Sequence, residues 1–158
     1  MRSRMRTTIP LSFVATLALA FVSCSRETPP GEAEQAKRDR AFEEMMTNVS
    51  LVGQSTIFGR EGVTGKEEYV IDRVSRVAGD QWLFHTTMKL GSGDVTVPIP
   101  VTILWAGDTP VITLTDLSVP GMGSYSARVL LFRDHYAGTW LGSEGGGHVF
   151  GDIVRRRD

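Results

Sequence analysis

The chain is poor in the residues on which most recognisable catalytic and metal sites depend. Its 158 residues include one cysteine and three histidines, and no serine stands in a G-x-S-x-G frame. Zinc sites need several cysteine or histidine ligands at short spacing, and nucleophilic hydrolases need an activated serine or cysteine. The sequence therefore indicates a non-catalytic protein without a metal or another cofactor.

The three histidines are scattered along the chain. His85 falls on the polar face of a predicted strand, His135 lies in a turn beside Asp134, and His148 follows three glycines. A phosphate-binding loop leads into a helix, whereas a predicted strand follows these glycines. We expect surface or hydrogen-bonded histidines; an enzyme would require His148 to share a pocket with acidic side chains.

An excess of positive charge is also absent. The part of the chain after Cys24 carries 14 basic and 18 acidic residues, a net charge of about −4. Surfaces that bind nucleic acid need lysine and arginine clustered on one face. The sequence predicts no nucleic-acid partner.

The first apolar run is too short to span a bilayer, which takes about 20 residues. The uncharged run from Ile9 to Val22 has 14 residues and follows Arg2, Arg4 and Arg6. A cationic start before a short apolar run is typical of a secretory signal peptide. We predict a signal peptide over residues 1–23.

The end of this run, "FVSC" at residues 21–24, resembles the lipobox of bacterial lipoproteins. Ser23 and Cys24 match that box, Val22 fits it, and Phe21 stands where leucine is usual. The resemblance implies that Cys24 becomes the mature N-terminus and carries acyl chains that anchor the protein in the membrane of the cell envelope. Ser25 stands where lipoproteins kept at the inner membrane often have aspartate, which implies the outer membrane if the host has both.

A second cleavage pattern overlaps the same segment. The residues "ALA", 18–20, have the small-x-small spacing that an ordinary signal peptidase recognises. Cleavage after Ala20 would give a secreted or periplasmic protein with no lipid anchor. The sequence leaves both interpretations open.

A tether and a helix are predicted before the main domain. Residues 24–31 are polar and interrupted by proline and glycine, as in a short spacer. Helix-forming residues follow over 32–48, with apolar positions confined to the second half. We expect a helix whose first half is solvated and whose second half packs against the domain through Ala41, Phe42, Met45 and Met46.

From residue 49 onward, apolar and polar residues alternate, with turn signals every eight to twelve residues. Short links favour antiparallel neighbours. The sequence predicts an all-β domain over 49–158, an antiparallel meander that forms an open barrel or a sandwich. Its eight predicted strands cover residues 50–58, 67–78, 81–90, 94–104, 110–117, 123–132, 136–141 and 147–156.

The alternation predicts which side chains form the core. They are Trp82, Phe84, Met88 and Leu90 in the third strand and Val95, Val97, Ile99, Val101, Ile103 and Trp105 in the fourth. On the opposite face of the fourth strand, Pro98 and Pro100 have no N–H to donate, so a fully paired strand is disfavoured there. We expect a gap or an edge near "VPIPV".

The segment "YAGTW", residues 136–140, resembles the G-x-W motif of lipocalins and other calycins. The motif lies on the first strand of those barrels, whereas Gly138 and Trp140 fall on the seventh predicted strand. The resemblance covers a few residues and implies a barrel architecture, without a function.

Two functions fit this prediction. In the first, a membrane-anchored barrel binds a small apolar or amphipathic ligand among its inward aromatic residues Trp82, Trp105, Tyr136 and Trp140. In the second, the core is solid, and an exposed edge or the loop "SVPGMGS" meets another protein of the envelope. An internal cavity would favour the first function, and an exposed apolar patch the second.

Overall fold

The computed structural model describes residues 30–62, 65–90, 93–119 and 123–157. The predicted signal peptide, Cys24 and the tether up to residue 29 lie outside the described residues. Pro30 and Gly31, assigned to the tether from the sequence, belong to the first turn of the helix, where proline is well tolerated. The elements are α1 (Pro30–Met46), β1 (Val49–Ser55), β2 (Gly65–Ala78), β3 (Gln81–Leu90), β4 (Gly93–Ala106), β5 (Thr109–Val119), β6 (Gly123–Phe132), β7 (His135–Gly142) and β8 (Gly145–Arg155).

The eight strands form one closed antiparallel barrel in which each strand pairs with the next. β1 and β8 close the barrel over seven residue pairs, from Val49–Arg155 to Ser55–Val149. The predicted all-β, eight-stranded antiparallel fold with one helix is confirmed. The expected open barrel or sandwich is wrong, because β8 pairs with β7 on one edge and with β1 on the other.

The closed barrel accommodates Pro98 and Pro100 through a local split between β4 and β5. β4 pairs with β3 over residues 93–102. Its pairing with β5 covers only the five pairs from Thr102–Thr113 to Ala106–Thr109. The first part of β4, which contains both prolines, therefore has no partner strand on the β5 side, where missing N–H donors cost nothing. The gap expected near "VPIPV" is therefore present as this local split between β4 and β5, while the barrel as a whole stays closed.

A bulge in β5 marks the point where the two strands part. The register of β5 against β6 shifts between Leu114 and Leu117, and Asp116 has a φ of 49°, a conformation that aspartate tolerates better than most residues. The Asp116 N–H donates to Ser126 Oγ at 2.9 Å, and the Arg128 guanidinium donates to the Leu114 carbonyl. Side chains of β6 thus satisfy backbone groups of the bulge.

The core lies where the alternation predicts it. Trp82, Phe84, Val101 and Ile103 are buried, and Pro98 and Pro100 are exposed. Ile99 and Trp105 are half-buried and pack against the core, and Val97 is half-buried on the same face. The predicted core side chains of Met88, Leu90 and Val95 lie outside the part of the chain that the structure describes.

Helix α1 closes one end of the barrel. Phe42 and Met46 are buried, and the Phe42 ring lies 4.9 Å from Trp82 and 6.0 Å from Trp105, measured between centroids. The first residues of α1 are exposed, so the predicted division into a solvated half and a packed half is confirmed. Ala41, which was expected to pack, is exposed. The end of the barrel under α1 is called the α1 end, and the opposite end the far end.

Polar contacts fix α1 to the strand ends around it. Asp39, which is buried, forms an ion pair with Arg76 of β2 at 2.8 Å. Arg38 lies over the Trp105 ring at 5.4 Å. Arg155 of β8 donates to the backbone carbonyls of Thr47 and Glu44. These contacts come from three different strands, so the helix is held across the barrel end.

Candidate ligand-binding cavity

A cavity of about 370 Å³ lies inside the barrel and extends from its middle to the far end. Its position follows from the lining, since Glu67 lies near the start of β2, Val119 ends β5, and Trp140 lies near the end of β7. All three places are at the far end. The lining is mainly apolar and consists of Leu51, Glu67, Tyr69, Ile71, Phe84, Thr86, Ile99, Val101, Ile112, Leu114, Leu117, Val119, Tyr125, Ser126, Ala127, Val129, Tyr136, Trp140 and Val149.

Glu67 is the only charged side chain among the described residues that line the cavity. Along β2 it shares the inner face with Tyr69 and Ile71, because alternate residues of a strand point to the same side. The Tyr69 hydroxyl donates a hydrogen bond of 2.5 Å to Glu67 Oε2. The strand thus places a carboxylate, with one tyrosine as its hydrogen-bond donor, inside an otherwise apolar barrel.

Gly53, which has no side chain, leaves room for the Tyr136 hydroxyl to reach toward the strand that carries Glu67. In the strand registers Glu67 pairs with Gly53, Gly53 with Gly151, and Gly151 with Tyr136. A Cβ added to Gly53 would overlap the Tyr136 hydroxyl and the Phe150 carbonyl. The hydroxyl therefore lies directly over Gly53, next to the strand that carries Glu67.

Two polar atoms of the lining are buried without a hydrogen-bond partner: the Tyr136 hydroxyl oxygen and Trp140 Nε1. Buried polar groups in proteins are nearly always hydrogen-bonded, to protein, water or ligand. Both groups can donate, and the tyrosine can also accept. The cavity wall therefore offers unused hydrogen-bonding capacity as well as apolar surface.

The environment holds both tyrosines in the neutral form. Burial, and then the nearby Glu67 carboxylate, raises the pKa of Tyr136 to about 12. The same two causes, together with the hydrogen bond to Glu67, raise the pKa of Tyr69 further. Both hydroxyls keep their protons near neutral pH and remain donors.

The four predicted binding residues do not form one cluster. Tyr136 and Trp140 line the cavity. Trp82 and Trp105 pack against Phe42 at the α1 end instead, outside the lining. The helix covers that end of the barrel, so aromatic residues there serve as core, which inward alternation by itself does not distinguish from a binding wall.

Sequence reasoning missed the polar part of the site. Glu67, Tyr69 and Tyr125 were not expected among the binding residues, because spacing alone does not separate Glu67 and Glu68 from a solvated strand edge. The signal available in the sequence was the spacing: Glu67 and Tyr69 lie four and two residues before Ile71, so the three share one face of β2, and Ile71 is buried. Glu68, on the outer face, accepts a hydrogen bond from Ser50 at 3.1 Å.

The histidines lie apart from the cavity. His135 pairs with Asp152 at 2.7 Å on the exposed surface, His85 lies 3.3 Å from Arg73, and the His148 ring lies 5.2 Å from that of Phe58. None of the three histidines is among the described residues that line the cavity. Nor do the described ranges contain three grouped histidine, cysteine or acidic residues that could hold a metal ion.

The outer surface carries a shallow groove over β1 and β2 and an apolar strip over β6 to β8. Two of the charged side chains in the groove form an ion pair, Arg156 with Asp72 at 2.6 Å. The strip consists of exposed Leu130, Phe132, Leu141 and Phe150, each between 40% and 55% exposed. Exposed apolar side chains of this kind suit contact with another macromolecule.

Among the described residues, the cavity suits a small ligand and the outer strip suits a protein partner. In the described part of the chain, no helix is long and apolar enough to cross a membrane. In comparisons with protein-family models and with curated proteins, nothing matches this chain.

Proposed function

We propose that this protein is a non-catalytic binding module, and that its barrel holds one small, mainly apolar ligand in the cavity at the far end. The observation that carries the proposal is the cavity itself, about 370 Å³ of space within an eight-stranded barrel. An eight-stranded barrel is either filled by side chains or just wide enough for one small ligand. Here the α1 end is filled and the far end is not.

The lining supports this function in two ways. Its many aliphatic and aromatic side chains suit an apolar body, while Glu67, Tyr69, Tyr136 and Trp140 supply a few polar groups. Small-molecule sites typically combine a mainly apolar wall with a few polar groups that orient the ligand. A solid core would leave no such space and no unpartnered donors.

A cavity-filling variant tests the proposal with 1-octanol as the probe. Ala127 lies in the lining and pairs with Trp140 across the strands, so the ring of Ala127→Phe occupies the cavity. We expect saturable one-site octanol binding to the unaltered protein, measured by calorimetry or tryptophan fluorescence. Ala127→Phe should weaken that binding by about tenfold or more, because the new ring takes the ligand's place.

Ala137→Phe is the matched control, because Ala137 lies on the outer face of β7 and is exposed. It should bind octanol like the unaltered protein. Cooperative urea unfolding would show that both variants are folded. Absence of saturable binding, or equal binding by a folded Ala127→Phe variant, contradicts the proposed function.

We also propose that Cys24 carries a lipid anchor, on the strength of the signal peptide and of "FVSC". Two or three long acyl chains are enough for stable membrane attachment, since each buried methylene contributes about 0.8 kcal/mol. Cys24→Ser should move the protein from the membrane to the soluble fraction of its host. Membrane retention of the Cys24→Ser variant would exclude the anchor. So would an intact mass of the unaltered protein that corresponds to a chain beginning at Phe21 without lipid.

A second candidate function is that of a protein-interaction module of the cell envelope. The apolar strip formed by Leu130, Phe132, Leu141 and Phe150 favours it, whereas residues 120–122 of the predicted contact loop lie outside the described residues. Native mass spectrometry of protein purified from its host separates the two candidates. An extra small mass that is lost on unfolding supports ligand binding in the cavity. A complex with another protein chain and without a small ligand supports interaction through the strip.

A further inference from the structure

We propose that the ligand of the cavity is an amphipathic cation, an amine whose ammonium group pairs with Glu67 and whose apolar part fills the barrel. This inference rests on the proposed function and names the chemical class of the ligand. It follows from the charge, the aromatic content and the size of the cavity.

The charge of the cavity is negative and has no counter-ion from the described residues. Glu67 accepts one hydrogen bond, from Tyr69, whereas a carboxylate has room for about four donors. Lysine, arginine and histidine are absent from the described lining. A carboxylate in a mainly apolar cavity is stabilised when it is paired with an opposite charge and hydrogen-bonded. A ligand ammonium group would supply both the opposite charge and the missing donors.

Four of the lining side chains are aromatic rings with a polar group, and Tyr69 and Tyr136 lie near Glu67. Tyr69, Tyr125, Tyr136 and Trp140 all line the cavity, and the Tyr125 and Trp140 rings lie 6.5 Å apart, between centroids, at an interplanar angle of 43°. The faces of such rings attract cations. Tyrosine and tryptophan rings in the same cavity as a carboxylate therefore favour an ammonium group over a neutral one.

The same arrangement disfavours an anionic ligand. A fatty carboxylate entering the cavity would bring a second negative charge toward Glu67, and two like charges repel. The two unpartnered donors, Tyr136 and Trp140, could bind an acceptor but carry no formal charge. The sign of Glu67 therefore decides the choice between headgroups.

The volume limits the ligand to a small amine. A cavity of about 370 Å³ has the volume of roughly a dozen water molecules, at about 30 Å³ each. An alkyl chain of about eight carbons, or one aromatic ring with a short aminoalkyl arm, is of suitable size. Larger amphiphiles would have to leave part of their length outside the barrel.

Three probes with the same chain and different headgroups test the inference: octylammonium, 1-octanol and octanoate. At pH 7 we expect octylammonium to bind at least about tenfold more tightly than octanoate, because its ammonium group forms a charge-assisted hydrogen bond with Glu67 whereas octanoate is repelled. In Glu67→Gln, octylammonium should lose about tenfold in affinity, and octanol binding should remain. The measurement is calorimetry at low and moderate salt.

Glu68→Gln is the matched control, since Glu68 is the neighbouring carboxylate on the outer face of β2. It should keep the preference of the unaltered protein for the cation. Near-ultraviolet circular dichroism checks that both glutamine variants retain native packing.

The outcomes distinguish the two proposals. If none of the three probes binds, the proposed function fails and the inference fails with it. If octanol binds but octanoate equals or exceeds octylammonium, the function stands and the inference is overturned. The inference is also overturned if Glu67→Gln keeps the preference for octylammonium, since the carboxylate then does not select the ligand.

Discussion

Tyr69 and Tyr136 are chemically identical residues whose hydroxyls have opposite energetic roles. The Tyr69 hydroxyl is bonded to a carboxylate that has no other partner among the described residues. The Tyr136 hydroxyl is buried without any hydrogen bond. A bond to a charged group stabilises the fold, whereas a buried polar atom without a partner destabilises it.

Replacing each tyrosine by phenylalanine should therefore shift stability in opposite directions. Tyr69→Phe should lower the free energy of unfolding by about 1.5–3 kcal/mol, the range for hydrogen bonds to charged groups. Tyr136→Phe should leave it unchanged or raise it by up to about 1 kcal/mol, because it removes an unsatisfied group. Urea unfolding of ligand-free protein measures both values. Equal destabilisation by the two changes would contradict the described geometry.

At this scale, the sequence predicts apolar positions better than polar ones. Trp82 and Phe84 were expected to be buried and are, because an apolar residue in an alternating strand has one favourable face. Glu67 was not singled out from the sequence, and it lines the cavity. A carboxylate on the inner face goes against the general preference for burial of apolar residues, and such exceptions concentrate at functional sites.

Among the elements, β4 shows how local rules combine into an unexpected arrangement. Pro98 and Pro100 predict missing donors at one edge, and β4 is indeed unpaired there while the barrel closes elsewhere. Closure depends on β1 meeting β8, about a hundred residues apart in sequence. No local pattern reports such a pairing, which explains why strands and turns could be predicted and closure could not.

The packing partners of helix α1 could not be predicted from local sequence patterns either. Its second half was predicted to pack because Phe42 and Met46 are apolar, and both are buried. What it packs against, Trp82 and Trp105, depends on the complete barrel. For that reason the aromatic residues of the interior could not be divided in advance into a covered group and a cavity group.

For the whole molecule, the raised tyrosine pKa values predict a loss of stability in alkali. Below about pH 10 the folded and unfolded chains both keep their phenolic protons, so these tyrosines add no pH dependence. Above it, the unfolded chain releases protons that folded Tyr136, with a pKa of about 12, retains. The free energy of unfolding then falls by up to about 1.4 kcal/mol per pH unit for each such tyrosine.

Urea unfolding between about pH 8 and pH 11 measures this decline around the ordinary tyrosine pKa, and ultraviolet absorbance follows phenol ionisation in the folded protein. Tyr136→Phe should make the fall in the free energy of unfolding at alkaline pH less steep, because Tyr69 is then the one tyrosine of this pair that still contributes to it. Ionisation of Tyr136 near its ordinary pKa in the folded protein would contradict its buried position beside Glu67.

Helix α1 follows closely in the chain after Cys24, the proposed site of the lipid anchor. With Cys24 anchored as proposed, the chain from Cys24 to Pro30 can reach at most about 20 Å. The helix that follows lies across the α1 end, with Arg38 donating to the Gly107 carbonyl of the β4–β5 turn. The closed end of the barrel then faces the bilayer and the cavity faces away from it, so the protein would take up its ligand from the water phase and not out of the lipid.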